Sequence, residues 1–168
     1  MEIGVCVASH VGDIGYVTRA EELGYASAWL ADSQMLWSDC YAALALAADR
    51  TSRIRIGTGV AVTGTRPAPV TAASIATIHA LAPGRTFLGV GAGNTALRVM
   101  GRKPQRIAEY DRYLGTLRPL LRGEEAECDG VPIRHIMPDR GFARFDPEIP
   151  LHVSGFGPRS LALAGKHG

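Results

Sequence analysis

Three segments of the chain each run from apolar, β-branched residues directly into glycines and then into a helix-like pattern. They lie at residues 54–60, 86–94 and 151–159. Each segment predicts bare backbone at the carboxyl end of a strand. Parallel α/β proteins bind ligands there, because glycine lets a phosphate or a flat ring approach the chain and the next helix offers free N–H groups. Three such loops in one chain predict a phosphorylated cofactor that lies across several strands.

The composition is typical of an enzyme-sized globular domain. With 168 residues, 46% of them hydrophobic and 20% charged, the chain is expected to form one core rather than two domains. A net charge of +2, with scattered basic residues, argues against a nucleic-acid partner. The cysteines lack a C-x-x-C pair and the histidines lack metal-ligand spacing, so we predict neither a disulfide framework nor a metal site. The absence of a signal-peptide pattern and of a membrane-length apolar run predicts a cytoplasmic protein without a membrane partner.

Strand and helix patterns alternate along the chain with short connections. Strands are predicted at residues 3–8, 26–31, 54–60, 86–91 and 151–154, and helices at about 13–23, 41–49, 70–81 and 107–121 and from about 160. Asp13 is the expected N-cap of the first helix and Gly24 its C′ residue. Residues 91–100 are predicted as a loop. The rhythm breaks at about 123–150, where Asp129-Gly130 predicts a small hairpin turn.

Such βα units build either an open doubly wound sheet or a closed barrel. Residues 91–96 do satisfy the G-x-G-x-x-A pattern of dinucleotide-binding folds, but they follow the fourth strand. The acidic residues about twenty positions further on, Glu109 and Asp111, fall inside a predicted helix, where they would not meet a ribose. The prediction is therefore an α/β protein with strands in the order one to five, a partial (β/α)8 TIM barrel of about five βα units. An NAD-binding Rossmann dehydrogenase is the alternative.

A set of motifs, taken in order, resembles a known family. The set comprises Asp32-Ser33 after the second strand and the segments 56–60, 84–93, 120–124 and 154–160. Together they resemble the luciferase-like flavin- and F420-dependent oxidoreductases, most of all the methylenetetrahydromethanopterin reductase-like branch that uses coenzyme F420. The resemblance implies that residues 1–168 form the N-terminal portion of a single luciferase-like TIM-barrel domain, with a loop excursion at about 123–150. It implies hydride transfer between F420 and a small organic substrate; an FMN-dependent monooxygenase using O2 is the alternative.

The same resemblance implies roles for individual residues. The Gly59–Val60 bond matches a non-prolyl cis peptide against the central ring of the cofactor, and Asp32 matches a carboxylate near the pyrimidine edge. Ser33 stands where the family often has histidine. Asn94 stands where the sugar-phosphate dehydrogenases have an acidic residue, which argues against a sugar-phosphate substrate. The implied lining of the cofactor and cradle of its phosphate are Ala92, Gly93, Asn94, Thr95, Gly155, Phe156, Gly157, Pro158, Arg159 and Ser160.

Several of these residues also have a purely structural interpretation. Asp32 is alternatively a helix cap. Arg159, in the first turn of a helix, opposes the helix dipole unless an anion lies between them, which favours phosphate binding over a solvated arginine. His10, after the first strand, is either a proton donor at the same mouth or an ordinary loop histidine. The candidate catalytic residues are thus Asp32, His10 and Asn94, and the basic residues near the mouth are either contacts for the acidic tail of F420 or solvated charges (Arg66, Arg98, Arg102 and Lys103).

The length predicts an incomplete barrel. A typical barrel has about 250 residues, so strands beyond the fifth are expected to be missing from these 168. We therefore expect a homo-oligomer or a complex with a complementary C-terminal half, or else a non-catalytic half-barrel that acts as an interaction subunit. The apolar inner faces of the first and fifth strands would lack packing without this partner, and they are expected to include Ile3, Val5, Val7, Leu151 and Val153.

Overall fold

The computed structural model describes all 168 residues, and its central feature is a parallel sheet. The five main strands are β1 (Gly4–Val7), β2 (Ser27–Leu30), β3 (Arg55–Thr58), β5 (Thr86–Gly91) and β8 (Leu151–Val153), and a two-residue strand, β4 (Ala61–Val62), follows β3. The main strands are parallel neighbours in chain order. This confirms the predicted order and excludes a doubly wound Rossmann sheet, because β1 lies at one edge rather than between later strands.

Helices follow the strands as a barrel requires. They are α1 (Gly15–Glu22), α2 (Cys40–Arg50), α3 (Ala68–Leu81), α4 (Asn94–Val99), α5 (Ile107–Leu121) and α6 (Pro158–His167). The short α4 lies where we expected only a loop. The stripe of α5 is core as predicted at Tyr110, Leu114, Leu117 and Leu121, but Ile107 at its start is 37% exposed. None of the six helices is long and apolar enough to cross a membrane.

The ends of α1 test two sequence predictions. Gly24 has a φ of +82° and follows the helix, and Tyr25 N–H donates to the Ala20 carbonyl, as in a Schellman motif. The predicted C′ glycine is therefore confirmed. The predicted N-cap is wrong, because Ile14 holds that position and Asp13 belongs to the preceding turn, where its N–H donates to the His10 carbonyl.

A bulge interrupts the third predicted strand. Gly57 pairs with Phe87 and Ala61 with Val90, so four steps along β3 and β4 match three steps along β5. The extra residue falls at Gly59 and Val60, whose peptide bond is cis, as the resemblance implied. Such a bulge re-aims the side chains that follow it.

The apolar residues of the two edge strands point to the helix-covered face of the sheet. Val5, Val7, Leu151 and Val153 pack against the core between the sheet and the helices. The prediction that they line the open inner face is therefore wrong, because side chains alternate along a strand and these four point to the helix side. Ile3 precedes β1 and is exposed.

The excursion at residues 123–150 lies against the outer helices. It contains an antiparallel hairpin of β6 (Ala126–Cys128) and β7 (Val131–Ile133), which confirms the predicted turn. Asp129 and Gly130 both have positive φ, as a two-residue turn of this kind needs. A short 3-10 helix, Pro138–Arg140, follows, and the Arg144 N–H then donates to the Ala76 carbonyl of α3.

Candidate functional site

A cavity of about 470 Å³ lies at the carboxyl ends of the strands. The loops after β2, β3, β5 and β8 all contribute to its wall, which is where a parallel α/β barrel binds its ligand. Its volume is within the usual range for small-molecule sites. Ten of the residues proposed from the resemblance line it: Asp32, Gly59, Val60, Ala92, Gly93, Asn94, Thr95, Gly155, Phe156 and Ser160. We call it the cofactor cavity.

Asp32 is the one acidic residue in this wall, and it is almost completely buried. Its carboxylate accepts hydrogen bonds from the Val62 N–H at 3.2 Å and from Gln34 Nε2 at 2.6 Å. Arg66 Nη1 lies 2.8 Å from Oδ2 and 3.1 Å from Oδ1. A buried carboxylate needs such partners, because burial of an unpaired charge is strongly unfavourable.

Arg66 joins this carboxylate to the start of α2. Its Nη2 donates to Asp39 at 2.7 Å, and its guanidinium lies 4.8 Å from the centre of the Tyr41 ring. Burial acts to lower the pKa of Arg66, but the charge and hydrogen bonds of Asp32, together with Tyr41 and Asp39, outweigh burial and raise it, so the guanidinium stays charged. Asp39, not Asp32, caps α2 by accepting the Ala42 N–H, and the capping alternative for Asp32 is therefore wrong.

The loop after β5 is packed too tightly for side chains at its glycines. A Cβ atom on Gly91 would lie 2.7 Å from the Val60 side chain, and one on Gly93 would overlap Val62. Gly93 also has a φ of +70°, which other residues rarely adopt. The next residue, Asn94, opens α4, and its Oδ1 accepts a hydrogen bond from Arg98 Nε at 2.6 Å.

The loop after β8 forms a small cradle of backbone N–H groups. Those of Phe156 and Gly157 both donate to Ser160 Oγ at 3.0 Å. A Cβ on Gly155 would lie only 2.6 Å from the Ser160 carbonyl oxygen, so the loop folds closely over the start of α6. Convergent N–H groups at a helix N-terminus are suited to an anion such as a phosphate, which here would take the place of Ser160 Oγ on these donors.

Two residues of α5 that the sequence did not assign to the site also line the cavity, Ile107 and Tyr110. The Tyr110 hydroxyl lies 3.1 Å from the Val90 carbonyl and 3.3 Å from the Ser154 carbonyl, so it ties β5 to the loop after β8. Burial raises the pKa of this tyrosine well above its ordinary value, and it stays neutral. Their helical spacing gave no sign of this role, because one stripe serves both the core and the cavity.

Four proposed residues lie outside the cofactor cavity. Gly157, Pro158 and Arg159 line a neighbouring cleft with Ser160 and Ile107, and the exposed Arg159 forms no ion pair. His10 lines a separate depression with Val7, Ala8, Asp13 and Tyr16, because it follows the edge strand β1. The structure therefore does not bring His10 together with Asp32 and Asn94.

Comparison with known proteins identifies the family. The family model for luciferase-like monooxygenases matches residues 12–168, and the chain belongs to that family. It is 32% identical over 153 residues to 5,10-methylenetetrahydromethanopterin reductase of Methanolobus tindarius, covering 90% of this chain and 46% of that protein. It is 31% identical over 168 residues to F420-dependent glucose-6-phosphate dehydrogenase of Beutenbergia cavernae, covering 92% and 50%.

Solved structures agree on the fold. The coenzyme F420-dependent tetrahydromethanopterin reductase of Methanopyrus kandleri superposes with a TM-score of 0.80 at 23% identity, over 98% of this chain and 53% of that one. The FMN complex of the oxygenating constituent of 3,6-diketocamphane monooxygenase from Pseudomonas putida gives 0.74 at 21% identity, over 99% and 55%. The fold is thus part of a luciferase-like TIM barrel. The chain spans about half the length of the relatives that it matches.

Proposed function

We propose that the protein is an oxidoreductase that binds coenzyme F420 in the cofactor cavity and transfers hydride between it and a small organic substrate. One observation carries the proposal: glycine loops from three strands and a buried, ion-paired carboxylate converge on one cavity at the strand ends. The 31% identity to an F420-dependent dehydrogenase supports the choice of cofactor. The activity belongs to the whole enzyme, of which these residues would supply about half.

The residues of the cavity fit a flat, phosphorylated cofactor. Gly59 and Gly91 place bare backbone in the cavity wall, and a Cβ on either would lie 2.7 Å from a neighbouring side chain, so only glycine fits there. Asp32 would hold the polar edge of the ring, and the N–H groups of Phe156 and Gly157 would hold the phosphate together with Ser160. The bound deazaflavin would supply the carbon that gives or accepts hydride.

The protein's own contribution would be to position the reactants and to exclude water. Arg66 holds Asp32 in one orientation from behind, so that the carboxylate presents a fixed hydrogen-bond acceptor to the cavity. Asn94, as an amide, would orient a substrate but would not transfer a proton at neutral pH. A substrate other than a sugar phosphate is therefore part of the proposal.

A second candidate is an FMN-dependent monooxygenase that uses O2. The specific observation in its favour is the similarity of fold to an oxygenase component solved with FMN. The same cavity and cradle would hold FMN, which has a flat ring and one phosphate.

Dialysis of the purified protein against F420 and, separately, against FMN would test the cofactor. We expect F420 to be retained, as measured by the visible absorbance of the deazaflavin. Asp32→Asn is the variant of choice, because it keeps the shape of the side chain but removes the charge that pairs with Arg66, and we expect it to weaken retention. Asp49→Asn, on the exposed end of α2, is the matched control. Retention of FMN alone would favour the monooxygenase, and retention of neither would overturn both candidates.

We also propose that residues 1–168 are the N-terminal portion of one barrel domain and associate with a complementary portion or with a second copy. The open face of the sheet supports this, since His152 on β8 and Cys6 on β1 are exposed on it. Sedimentation of the purified chain would test it. Self-association is the expected result, whereas a cooperatively melting monomer that turns over substrate would contradict it.

A further inference from the structure

A short turn in the excursion exposes large apolar side chains. Ile136 and Met137 precede the 3-10 helix Pro138–Arg140, and Phe142 follows it. Ile136 is 89% exposed and Phe142 is 69% exposed. Gly141 ends the short helix with a φ of +79°, so the chain turns there and the apolar residues share one compact segment. We call Ile136, Met137 and Phe142 the apolar turn.

Other residues of the excursion hold the apolar turn in place on the domain. Ile133, Ala143 and Phe145 pack against the core. The Arg144 N–H donates to the Ala76 carbonyl of α3 at 3.1 Å, which fixes the chain just after the turn. The excursion thus has its own contacts with the core, and the apolar turn takes no part in them. Large apolar side chains grouped on an exposed segment are typical of an interaction surface.

Charges of opposite sign lie next to each other along the same segment. The hairpin of β6 and β7 carries Glu125 and Glu127 on its first arm, and the apolar turn is flanked by Arg134 and Arg140. All four side chains are exposed, and none forms an ion pair within the chain. The excursion therefore presents an acidic hairpin beside a basic, apolar turn, and the charges of both are free to meet a partner.

Such a surface is complementary to a second copy of itself. When two copies meet about a two-fold axis, the hairpin of each copy can contact the turn of the other, so the same contact forms twice. Each contact would bring glutamates to arginines around an apolar centre, and opposite charges across an interface fix its register. An anionic membrane fits this surface less well, because residues 123–150 contain seven acidic and three basic residues.

From this self-complementarity we infer that the excursion is an interface between two copies of the chain. The two copies form a symmetric dimer in which the apolar turns lie at the centre and the acidic hairpins lie against the basic turns. None of these residues lines the cofactor cavity, so the inference does not rest on the proposed function. It also differs from association through the open face of the sheet, because the excursion lies against the outer helices.

Two charge-reversed variants test the inference by sedimentation equilibrium. Glu125→Lys/Glu127→Lys makes both hairpin and turn basic, and Arg134→Glu/Arg140→Glu makes both acidic. Each variant alone should dimerise about tenfold more weakly than the wild type, because like charges then meet at both contacts. An equimolar mixture of the two variants should form a heterodimer about as tight as the wild-type dimer, since opposite charges meet again at both contacts. A fluorescent label on one variant would identify the heterodimer.

A third variant tests the apolar centre. Ile136→Ser/Phe142→Ser should weaken dimerisation by more than about tenfold. Its urea midpoint should stay that of the wild type, because both side chains are exposed in the single chain. The matched control is Arg50→Glu/Arg53→Glu, which makes the same change of charge on exposed residues at the end of α2 and just after it. This control should leave the dissociation constant unchanged.

Several results would contradict the dimer. A monomeric wild type, or a mixture that associates no more tightly than its two components, would overturn the inference. Equal dissociation constants for the wild type and all variants would also overturn it, and association through the open face of the sheet would then stand alone. Binding of the wild type to phosphatidylserine vesicles that is lost in Ile136→Ser/Phe142→Ser would overturn it in favour of a membrane surface.

Discussion

On its helix-covered face the sheet presents Ile56, Leu88 and Val90, none of which is exposed, whereas on the opposite face the same strands present Gly57 and Gly89. The first face is filled with branched side chains that the helices cover. On the second face glycines make room for neighbouring groups, because a Cβ on Gly57 would overlap the Phe87 ring and one on Gly89 would overlap the Thr58 carbonyl. The comparison teaches that alternate residues of the same strands pack in two ways: branched side chains under the helices on one face, and glycines beneath the packed rings of Trp29, Phe87 and His152 on the other.

The largest expected effect is on the covered face. Leu88→Ala would leave a cavity in a fully buried site and should lower the free energy of unfolding by about 3 kcal/mol. Urea unfolding followed by circular dichroism would measure it, with an unchanged slope in denaturant as evidence of two-state behaviour. Leu81→Ala, at the exposed end of α3, should cost less than about 0.5 kcal/mol. Similar losses for the two variants would show that burial beneath the helices does not set the cost at Leu88.

A smaller loss is expected when the glycine face is filled. Gly89→Ala should lower the free energy of unfolding by about 2 kcal/mol, because the methyl group meets the Thr58 carbonyl and the Trp29 ring, 3.0 Å away. The same measurement on Gly115→Ala gives the control. Gly115 lies in α5, and a Cβ there would have no neighbouring atom within 4 Å, so alanine should stabilise the protein by up to about 1 kcal/mol. A stabilising Gly89→Ala would show that the inner face has room for side chains.

At the mouth of the cofactor cavity, the contrast between a crowded glycine and an open one should be measurable as a difference in ligand affinity. Gly155→Ala would push against the Ser160 carbonyl and disturb the cradle, and we expect F420 to bind about tenfold more weakly, equivalent to about 1.4 kcal/mol. Gly157→Ala, two residues away, places its methyl group in open space and should change affinity less. Equilibrium dialysis of both variants would measure this. Equal affinities for the two would mean that the shape of the cradle does not contribute to binding.

The smallest expected effect is a pH dependence of stability that arises where α3 packs against the excursion at residues 123–150. His79 is fully buried there, and both ring nitrogens lack a hydrogen-bond partner. Burial lowers its pKa below the ordinary 6.5; the backbone around Pro147 opposes this shift but forms no hydrogen bond of good geometry with the ring. Below about pH 6.5 the unfolded chain therefore binds a proton that the folded state resists, so stability falls as the pH falls. His79→Phe should flatten this part of the pH profile of urea midpoints, and an unchanged profile would show that His79 does not cause it.

Much of the fold could be predicted because it depends on local pattern. The positions of the strands and the C′ position of Gly24 follow from patterns among neighbouring residues. In a barrel, strands that follow one another in the chain are also neighbours in the sheet, which gives the strand order. The motifs around Asp32 and Gly59 and the loops after β5 and β8 likewise identified ten of the nineteen residues that line the cavity. The helix cap at Asp13 was wrong because a turn and a helix start at adjacent residues, which local pattern does not resolve.

The unpredicted parts depend on contacts between distant residues. The pairing of Arg66 with Asp32 joins two loops 34 residues apart, and no spacing rule connects them. Ile107 and Tyr110 continue the core stripe of α5, so only the position of the helix end against the sheet assigns them to the cavity. His10 follows a strand as the other candidates do, but that strand, β1, lies at the edge of the sheet. Only the three-dimensional structure shows that His10 therefore lies apart from the cofactor cavity.

The bulge between β3 and β4 determines which residues point their side chains to the open side of the sheet. Before it, odd positions such as Gly57 point to the open side; after it, Val60 and Val62 do so, while Ala61 joins the helix-side core. The bulge thus shifts the alternation of side chains by one residue, so that inward-facing positions are odd-numbered below it and even-numbered above it. Loss of one residue there would leave the sheet beneath intact but would turn the two valines into the helix layer and a small alanine into the mouth. The bulge at Gly59 and Val60 therefore separates β3, which belongs to the scaffold, from the rim residues after it, which can be altered to suit a ligand.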